Sequence, residues 1–207
     1  MNSPFPNRRH LLAGVLVTSL APSTAASARL DRNAAAEQFV LTEGQKALTI
    51  SSNRALSNAA RSAAFGQLID QLADFQRISG FVLGRYARQV TPVQRQRFNA
   101  AFRGYARKLF QSYLAGFRGN QLRVTGSFVR GPTDTVVNTV VSGDAEAGPL
   151  PVAWRIVGTP GSFRAVDVQA RGVWLAITLQ QDFVSTIDTA GGDVNVLITR
   201  LESGGGL

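Results

Sequence analysis

The side chains of this 207-residue chain that could perform acid–base chemistry are its carboxylates. Asp70 and Asp74 lie four residues apart, which would place both on one face of a helix, as a general acid–base pair requires. Asp74, however, precedes a run typical of a helix start, where an aspartate accepts backbone N–H groups. Asp182 and Asp188 fall near a helix that we expect to be half exposed. We interpret all four as capping or solvated carboxylates and find no catalytic constellation.

Asp167 needs a separate explanation, because it lies at the end of an apolar strand in the stretch FRAVDVQARGVWL. A carboxylate in that position must be hydrogen-bonded or paired, since burying an isolated charge is costly. One interpretation is a contact to a ligand or partner. The other, which we favour, is that backbone donors at the strand-to-helix turn around Gly172 satisfy it.

Residue types exclude much other chemistry. The chain has no cysteine, and its single histidine, His10, lies in a segment that we expect to be removed. Zinc, iron and copper sites built on imidazole or thiolate ligands are then excluded, and so is a Ser-His-Asp triad. The sequence has no phosphate-binding loop, G-x-G-x-x-G or G-x-S-x-G motif. We therefore predict a protein that is not an enzyme and that has neither a metal ion nor a cofactor.

The N-terminal segment has the pattern of an export signal. Arg8 and Arg9 precede an apolar run, and the small-residue cleavage pattern Ala26-Ser27-Ala28 follows it. The run is shorter than the ~20 residues that a membrane-spanning helix needs. The two arginines also resemble a twin-arginine signal, so the Sec and twin-arginine routes both stay open. The sequence thus predicts a periplasmic protein with a signal peptide over residues 1–28, a single domain over residues 29–202 and a flexible tail over residues 203–207.

The elements that must position these side chains begin with a helical half. Apolar residues recur at helical spacing in several segments. Thr91-Pro92-Val93-Gln94 is a strong helix start, with an N-cap, a proline at the first helical position and a capping-box glutamine. The long helix that follows carries an aromatic stripe at steps of three and four residues, formed by Phe98, Phe102, Tyr105, Leu109 and Tyr113. The predicted helices cover residues 34–50, 57–72, 74–88 and 91–116.

After Gly119 the apolar period changes to two, which is typical of strands. Glycine- and proline-rich turns separate the candidate strands, and such short connections predict antiparallel pairing. The strands are predicted at residues 122–129, 135–141, 152–157 and 163–168, and two closing helices around residues 179–187 and 194–201. This order predicts an α+β fold in which a helical N-terminal half and C-terminal helices pack on a curved antiparallel sheet of about four strands.

The charge of the chain points to anionic partners. Its net charge of +9 and pI near 11.3 favour nucleic acid, lipid head groups or an acidic protein. Part of this charge lies in the stretch FVLGRYARQVTPVQRQRF, where Arg85, Arg88, Arg95 and Arg97 alternate with apolar and aromatic residues. The charge alone does not choose among these partners.

The same stretch, extended to residues 81–114, resembles the MlaC family, the periplasmic phospholipid-binding proteins also called toluene-tolerance proteins. The family patterns vLG.y and T..Qr..F...F...l...y are met by Val82, Leu83, Gly84, Tyr86, Thr91, Gln94, Arg95, Phe98, Phe102, Leu109 and Tyr113. A downstream family motif is met by Asp167, Gly172, Val173, Phe183 and Ile187, and GGDVNVLITRL fits the last helix. The similarity spans roughly residues 39–201. Trp174 stands where the family usually has Ser, and Gln180 near where a basic residue is common, which puts details of the pocket mouth in doubt.

The resemblance implies a soluble lipid carrier. Family members hold a phospholipid by its tails in a cavity between helices and sheet. They carry it across the periplasm between an outer-membrane lipoprotein complex and an inner-membrane ABC transporter with an MCE-domain subunit. For this chain the resemblance implies phospholipid as cargo, those two complexes as partners, a monomer, and a role in outer-membrane lipid asymmetry. A related branch associated with hopanoid lipids stays an alternative.

Lipid carriage agrees with the composition of the chain. Exposing two acyl chains of about thirty methylenes to water costs on the order of 25 kcal/mol, so a carrier needs apolar walls and a polar rim. We expect the aromatic stripe and the strands to form the walls, and arginines to frame the mouth. The predicted lipid-binding residues are Val82, Leu83, Tyr86, Phe98, Phe102, Tyr105, Leu109, Tyr113, Val140, Trp154, Val166, Val168, Val173 and Trp174.

Three alternatives stay open. Periodicity does not distinguish a lined cavity from a filled core, so the aromatic stripe could be ordinary core. A nucleic-acid binder would explain the charge, but the export signal argues against it. A small carboxylate-dependent enzyme on a similar α+β scaffold would depend on Asp167.

Overall fold

The computed structural model describes residues 31–115, 119–143 and 148–204, and the predicted signal peptide lies outside them. Within these residues the chain has a mixed α+β fold, with six α-helices and an open five-stranded antiparallel sheet. The helices are α1 (Ala34–Ser52), α2 (Asn58–Leu72), α3 (Phe75–Val82), α4 (Pro92–Ala115), α5 (Leu175–Thr189) and α6 (Val194–Glu202). The strands are β1 (Gln121–Gly131), β2 (Asp134–Ser142), β3 (Leu150–Val157), β4 (Arg164–Ala170) and β5 (Val173–Trp174).

Local side chains begin most of the helices. At α4 the predicted capping box is confirmed: Thr91 Oγ1 accepts the N–H of Gln94 at 3.2 Å, and Gln94 Oε1 accepts the N–H of Thr91 at 2.9 Å. Side-chain oxygens also cap α1, α2, α3 and α6, and they belong to Asn33, Ser57, Asp74 and Asp193. Helix α5 differs, because its N-cap residue, Trp174, makes no side-chain cap bond.

The helix predicted over residues 74–88 is divided into two parts. Helix α3 ends at Val82, and Gly84–Arg88 form a separate 3-10 turn. Gly84 has a φ of 52°, which lies outside the α-helical region and favours glycine. A Cβ at this position would lie 2.8 Å from Cγ2 of Val184 in α5. The glycine therefore both breaks the helix and lets the turn approach α5.

The sheet is a simple meander in the order β1-β2-β3-β4-β5, each strand antiparallel to the one before it. The four predicted strands are confirmed, and β5 adds a fifth strand of two residues. A tight turn precedes β5, with positive φ values at Arg171 (52°) and Gly172 (81°). Two residues are too few to show a period of two, so the sequence pattern did not reveal this strand.

Two apolar layers make up the interior. The first, which we call the helical core, joins α3, the 3-10 turn, α4, α5 and α6, with Phe98, Phe102 and Phe183 at its centre. The second, which we call the α1–sheet layer, lies between α1 and one face of the sheet, where Leu48 and Val141 are buried. Among the described helices, none combines the length and the apolarity that crossing a bilayer requires.

Helix α2 bridges the two layers, because it packs on both α1 and α4. The carboxylate of Asp70 in α2 accepts the Nε–H of Arg107 in α4 at 3.1 Å. The segment after α2 then meets the sheet, where the N–H of Asp74 donates to the carbonyl of Ala165 in β4 at 2.9 Å. Strand β4 is therefore the strand at which the helical core joins the sheet.

Candidate functional site

The first part of the predicted aromatic stripe lies at the centre of the helical core. The rings of Phe98 and Phe102 stack with centroids 5.7 Å apart, and both meet Phe183 of α5 edge to face, at 6.0 and 5.9 Å. All three rings are buried. Aromatic pairs in these arrangements stabilise a core beyond the area that they bury. A lipid chain could contact Phe98 or Phe102 only by displacing these contacts.

The second part of the stripe lies at the margin of the helical core. Tyr105 is half buried, meets the ring of Phe183 at 6.0 Å, and lines an open surface groove of about 670 Å³ between α4 and α6. Leu109 is half buried against the same core. The side chain of Tyr113 lies outside the described residues. The stripe of α4 therefore packs towards α5 and α6 over its described length.

The residues predicted to close one end of the cavity also belong to the helical core. Val82 and Leu83 are fully buried, and the buried Tyr86 donates its hydroxyl to Oδ1 of Asp188 in α5. Arg85 pairs with the same carboxylate, and its guanidinium lies 5.1 Å from the centre of the Tyr86 ring. The hydrogen bond from Tyr86 and, after it, that from Arg85 hold the pKa of Asp188 below its ordinary value. These contacts hold the 3-10 turn against the C-terminal half of α5.

On the sheet, Trp154 and Val168 are cross-strand partners that belong to the α1–sheet layer. Both are half buried, and Trp154 contacts the apolar side chains at both ends of the layer. The indole N–H of Trp154 donates to Thr139 Oγ1 at 2.9 Å, and the Thr139 hydroxyl donates to the carbonyl of Val152 at 2.8 Å. Because these polar atoms are satisfied within the sheet, the wall around Trp154 has an apolar surface. We call Trp154, Val168 and their neighbour Leu150 the α1-facing wall.

The other four predicted lipid-binding residues lie in different parts of the sheet. Val140 precedes Val141 in β2, so its side chain alternates to the sheet face that α1 does not cover, and it shares no wall with Trp154. Val166 is buried at the bulge of β4, between the paired residues Ala165 and Asp167. The final two lie beside the β4–β5 turn, where Val173 is exposed and Trp174 is half buried.

The hydrogen bonds of Asp167 confirm the interpretation in which backbone donors satisfy its carboxylate. Its Oδ1 accepts the N–H of Val168 at 2.8 Å and the N–H of Ala176 at 2.9 Å. Burial is the larger influence and raises the pKa of Asp167, while these two N–H groups and Arg155 partly oppose it. The carboxylate therefore caps the start of α5 from strand β4.

The remaining carboxylates have structural partners or face solvent. Oδ1 of Asp74 accepts the N–H of Arg77 at 2.9 Å and caps α3, as the sequence predicted. Asp70 pairs with Arg107 rather than with Asp74, and Asp182 is exposed. In the part of the chain that the structure describes, no three Asp, Glu, His or Cys side chains group so that they could hold a metal ion.

Sequence reasoning missed the role of α1. Its buried residues Val40 and Leu48 cover the sheet face that carries Trp154. They lie eight residues apart, near two helical turns, so their spacing indicates one buried face. The spacing does not say which element covers that face, and it therefore could not identify the α1-facing wall.

Comparisons with known proteins match this chain to a protein family and to solved structures. The family model described as MlaC protein matches residues 43–203. The chain is also similar to a solved structure of the phospholipid-binding protein from Ralstonia solanacearum in complex with a phospholipid, at 25% sequence identity and a TM-score of 0.69. That similarity covers 81% of this chain and 95% of the other. The family match begins within α1 and ends after α6, so it includes the helical core and most of the α1–sheet layer.

Proposed function

Because the chain belongs to the MlaC family, we propose that it is a lipid carrier, which binds the acyl chains of a phospholipid and moves them through the periplasm. The observation that carries the proposal is the similarity to a phospholipid-binding protein that was solved with a phospholipid. The similarity covers 95% of that chain, so it extends over almost all of that protein rather than over one motif.

The proposed acyl-chain site lies beside the α1-facing wall. Phe98 and Phe102 already pack ring to ring. An acyl chain between them would only replace apolar contacts that the two rings already make. Trp154 and Val168 are half buried, so they keep apolar surface that a ligand can cover. Removing apolar surface from water contributes about 25 cal/mol per Å² to the free energy of binding, and nearly all of the surface of an acyl chain is apolar. The helical core then supports the site rather than lining it.

The proposed carrier receives phospholipid at one membrane and releases it at the other. Its partners in this role are an outer-membrane lipoprotein complex and an inner-membrane ABC transporter with an MCE-domain subunit. Removal of misplaced phospholipid by this route would maintain the lipid asymmetry of the outer membrane. The phospholipid is cargo in this scheme and takes part in no reaction.

The environment of Asp167 supports a carrier over the alternative of a carboxylate-dependent enzyme. Its Oδ1 is engaged by two backbone N–H groups, and these bonds fasten a strand to a helix. A general base must instead be free to contact the proton that it removes. Asp167, on which the enzyme alternative depended, therefore has a structural role as the cap of α5.

Native mass spectrometry tests the proposal. The protein is purified from cells, whose membranes supply the lipid that it can bind. We expect a fraction of the molecules to carry the added mass of one lipid, and extraction of the sample to yield a phospholipid. A hopanoid in the extract would assign the chain to the alternative branch. If no lipid co-purifies and none can be loaded from vesicles, the carrier proposal fails.

A further inference from the structure

Three exposed apolar side chains lie on α3, β5 and α5, and both α3 and β5 pack against α5. Phe81 is 41% exposed, Val173 51% and Ile177 44%. Gln180 donates its Nε2–H to the carbonyl of Phe81 at 2.6 Å, which holds the end of α3 against α5. Ile177 lies one turn before Gln180 on the same face of α5. Val173 lies in β5, which packs against α5. The ends of the two helices therefore present one apolar surface to solvent.

Arginines border this surface. The side chains of Arg77 and Arg85 are 62% and 60% exposed, although they pair with Asp74 and Asp188 respectively. Exposed ion pairs are weak, so both guanidinium groups stay available to other anions. Arg171, in the turn before β5, makes no ion pair with any carboxylate of the described residues. The sequence has no acidic residue between Asp74 and Asp134, so α3 and the 3-10 turn add positive charge alone.

The backbone at Arg171 provides an independent indication. Its φ of 52° is in the left-handed region, where a long side chain is uncommon. A two-residue turn with positive φ at both central positions strongly prefers Asn-Gly, and this chain has Arg171-Gly172 instead. Backbone strain of this kind concentrates at functional positions. The turn therefore holds an arginine at a position for which asparagine is the preferred residue.

We propose that Phe81, Val173 and Ile177, with Arg77 and Arg171, form a docking surface for an anionic phospholipid bilayer. The apolar side chains enter the head-group region, and the guanidinium groups contact lipid phosphates. Charge complementarity selects this occupant, because exposed apolar groups beside exposed arginines fit an anionic interface. The surface is small, so binding is weak and reversible, as a carrier that must leave the membrane requires. The inference goes beyond lipid carriage, since a protein can hold lipid without docking on a bilayer.

Vesicle co-sedimentation tests the docking surface, with vesicles of phosphatidylcholine alone and of phosphatidylcholine mixed with phosphatidylglycerol. We expect the protein to bind the mixed vesicles and to release them as salt is added. The double variant F81S/I177S should lose most of this binding. R171N should weaken it about fivefold, since one arginine near an anionic surface contributes about that factor. R171N should also raise the melting temperature, because asparagine relieves the strain in the turn.

Matched controls separate the surface from the general charge of the chain. Val93 is 69% exposed at the start of α4, and Arg123 is exposed on β1, so V93S and R123N remove similar groups elsewhere. These controls should bind the mixed vesicles as the unmodified chain does. The proposal is overturned if the chain ignores phosphatidylglycerol, if controls and surface variants weaken binding equally, or if F81S/I177S abolishes a dimer instead. Lipid loading, measured separately by native mass spectrometry, should be the same in all variants, so failure of docking is distinguishable from failure of lipid carriage.

Discussion

Oδ1 of Asp167, in strand β4, accepts the backbone N–H of Ala176, nine residues later in the first turn of α5, at 2.9 Å. The N-cap residue of α5, Trp174, makes no side-chain cap bond, so the strand supplies the cap that the helix lacks. The contact fastens the sheet to the helical core where the chain crosses from one to the other. It also explains why a carboxylate lies in the middle of strand β4.

Replacing Asp167 should therefore destabilise the fold. We expect D167A to lower the free energy of unfolding by about 1–3 kcal/mol, because it removes a cap and leaves backbone donors without a partner. Urea denaturation of both proteins measures the difference. D182A, at an exposed carboxylate of α5, is the control and should change stability little. An equal effect of the two substitutions would contradict the capping role.

The pKa of Asp167 predicts how this contribution varies with pH. Burial raises its pKa, so the folded chain binds the proton more tightly than the unfolded chain does. The stability contributed by Asp167 should therefore fall as pH rises from the ordinary aspartate pKa through the raised folded value. D167N lacks this titration, so the stability of the unmodified chain relative to D167N should decrease over that window. Denaturation series of both proteins at several pH values measure the trend, and a flat difference would argue against it.

A side chain at Gly84 should lower the stability of the fold, while a side chain at Gly80 should raise it. In G84A the new Cβ would meet Cγ2 of Val184 at 2.8 Å in a residue with φ of 52°, and we expect a loss of about 1–3 kcal/mol. Gly80 lies within α3, and a Cβ there would have no atom within 4 Å. G80A should thus stabilise the chain by roughly 0.5–1 kcal/mol, because alanine is the better helix former. Thermal melts compare the pair, and the same sign for both would refute this explanation.

Tyr86 should control the titration of Asp188. Its hydroxyl donates to the carboxylate, and this hydrogen bond is the largest influence that lowers the pKa of Asp188. In Y86F the pKa of Asp188 should rise towards the ordinary value, and R85Q should raise it less. Because the folded pKa is lowered, the stability that Asp188 contributes is present above the ordinary pKa and is lost as pH falls through the folded one. NMR titration of the Asp188 carboxyl carbon measures each value, and an unchanged pKa in Y86F would exclude the assigned cause.

Trp154 should report directly on bound acyl chains. The chain has two tryptophans, so W174F leaves Trp154 as the single indole. If the acyl chains lie beside the α1-facing wall, phospholipid with brominated tails should quench the fluorescence of Trp154, since bromine quenches at contact. Phospholipid without bromine is the control for loading. Loading without quenching would remove Trp154 from the lipid site while leaving lipid carriage itself intact.

Much of the local structure could be predicted from the sequence, because its signals lie within a few residues of one another. The capping box of Thr91 and Gln94 needs contacts across three residues, and the cap of Asp74 likewise. The four longer strands followed from alternation along each strand. The division of the helix at Gly84 was missed, because the close approach of Gly84 to Val184, a residue one hundred positions away, is not visible in the local pattern.

The candidate site was harder to predict, because it depends on which apolar faces meet. The spacing of Phe98 and Phe102 shows a buried helix face, and the ring of Phe183 fills the space beside them. Trp154 in β3 and Val140 in β2 were both predicted to line the cavity from apolar strands, and the pairing register places them on opposite faces of the sheet.

The sequence by itself determined the types of the longer elements, the caps at Asp74 and Thr91 and the antiparallel order of the strands, and its motifs already resembled the MlaC family. These depend on hydrogen bonds and periodicities within single segments, which are present in the chain before it folds. The tertiary structure alone decided that α5 fills the space beside the aromatic stripe, that α1 covers the sheet, and that Asp167 caps a helix. Those outcomes depend on close packing between segments far apart in sequence, and no local pattern encodes which two apolar faces will meet.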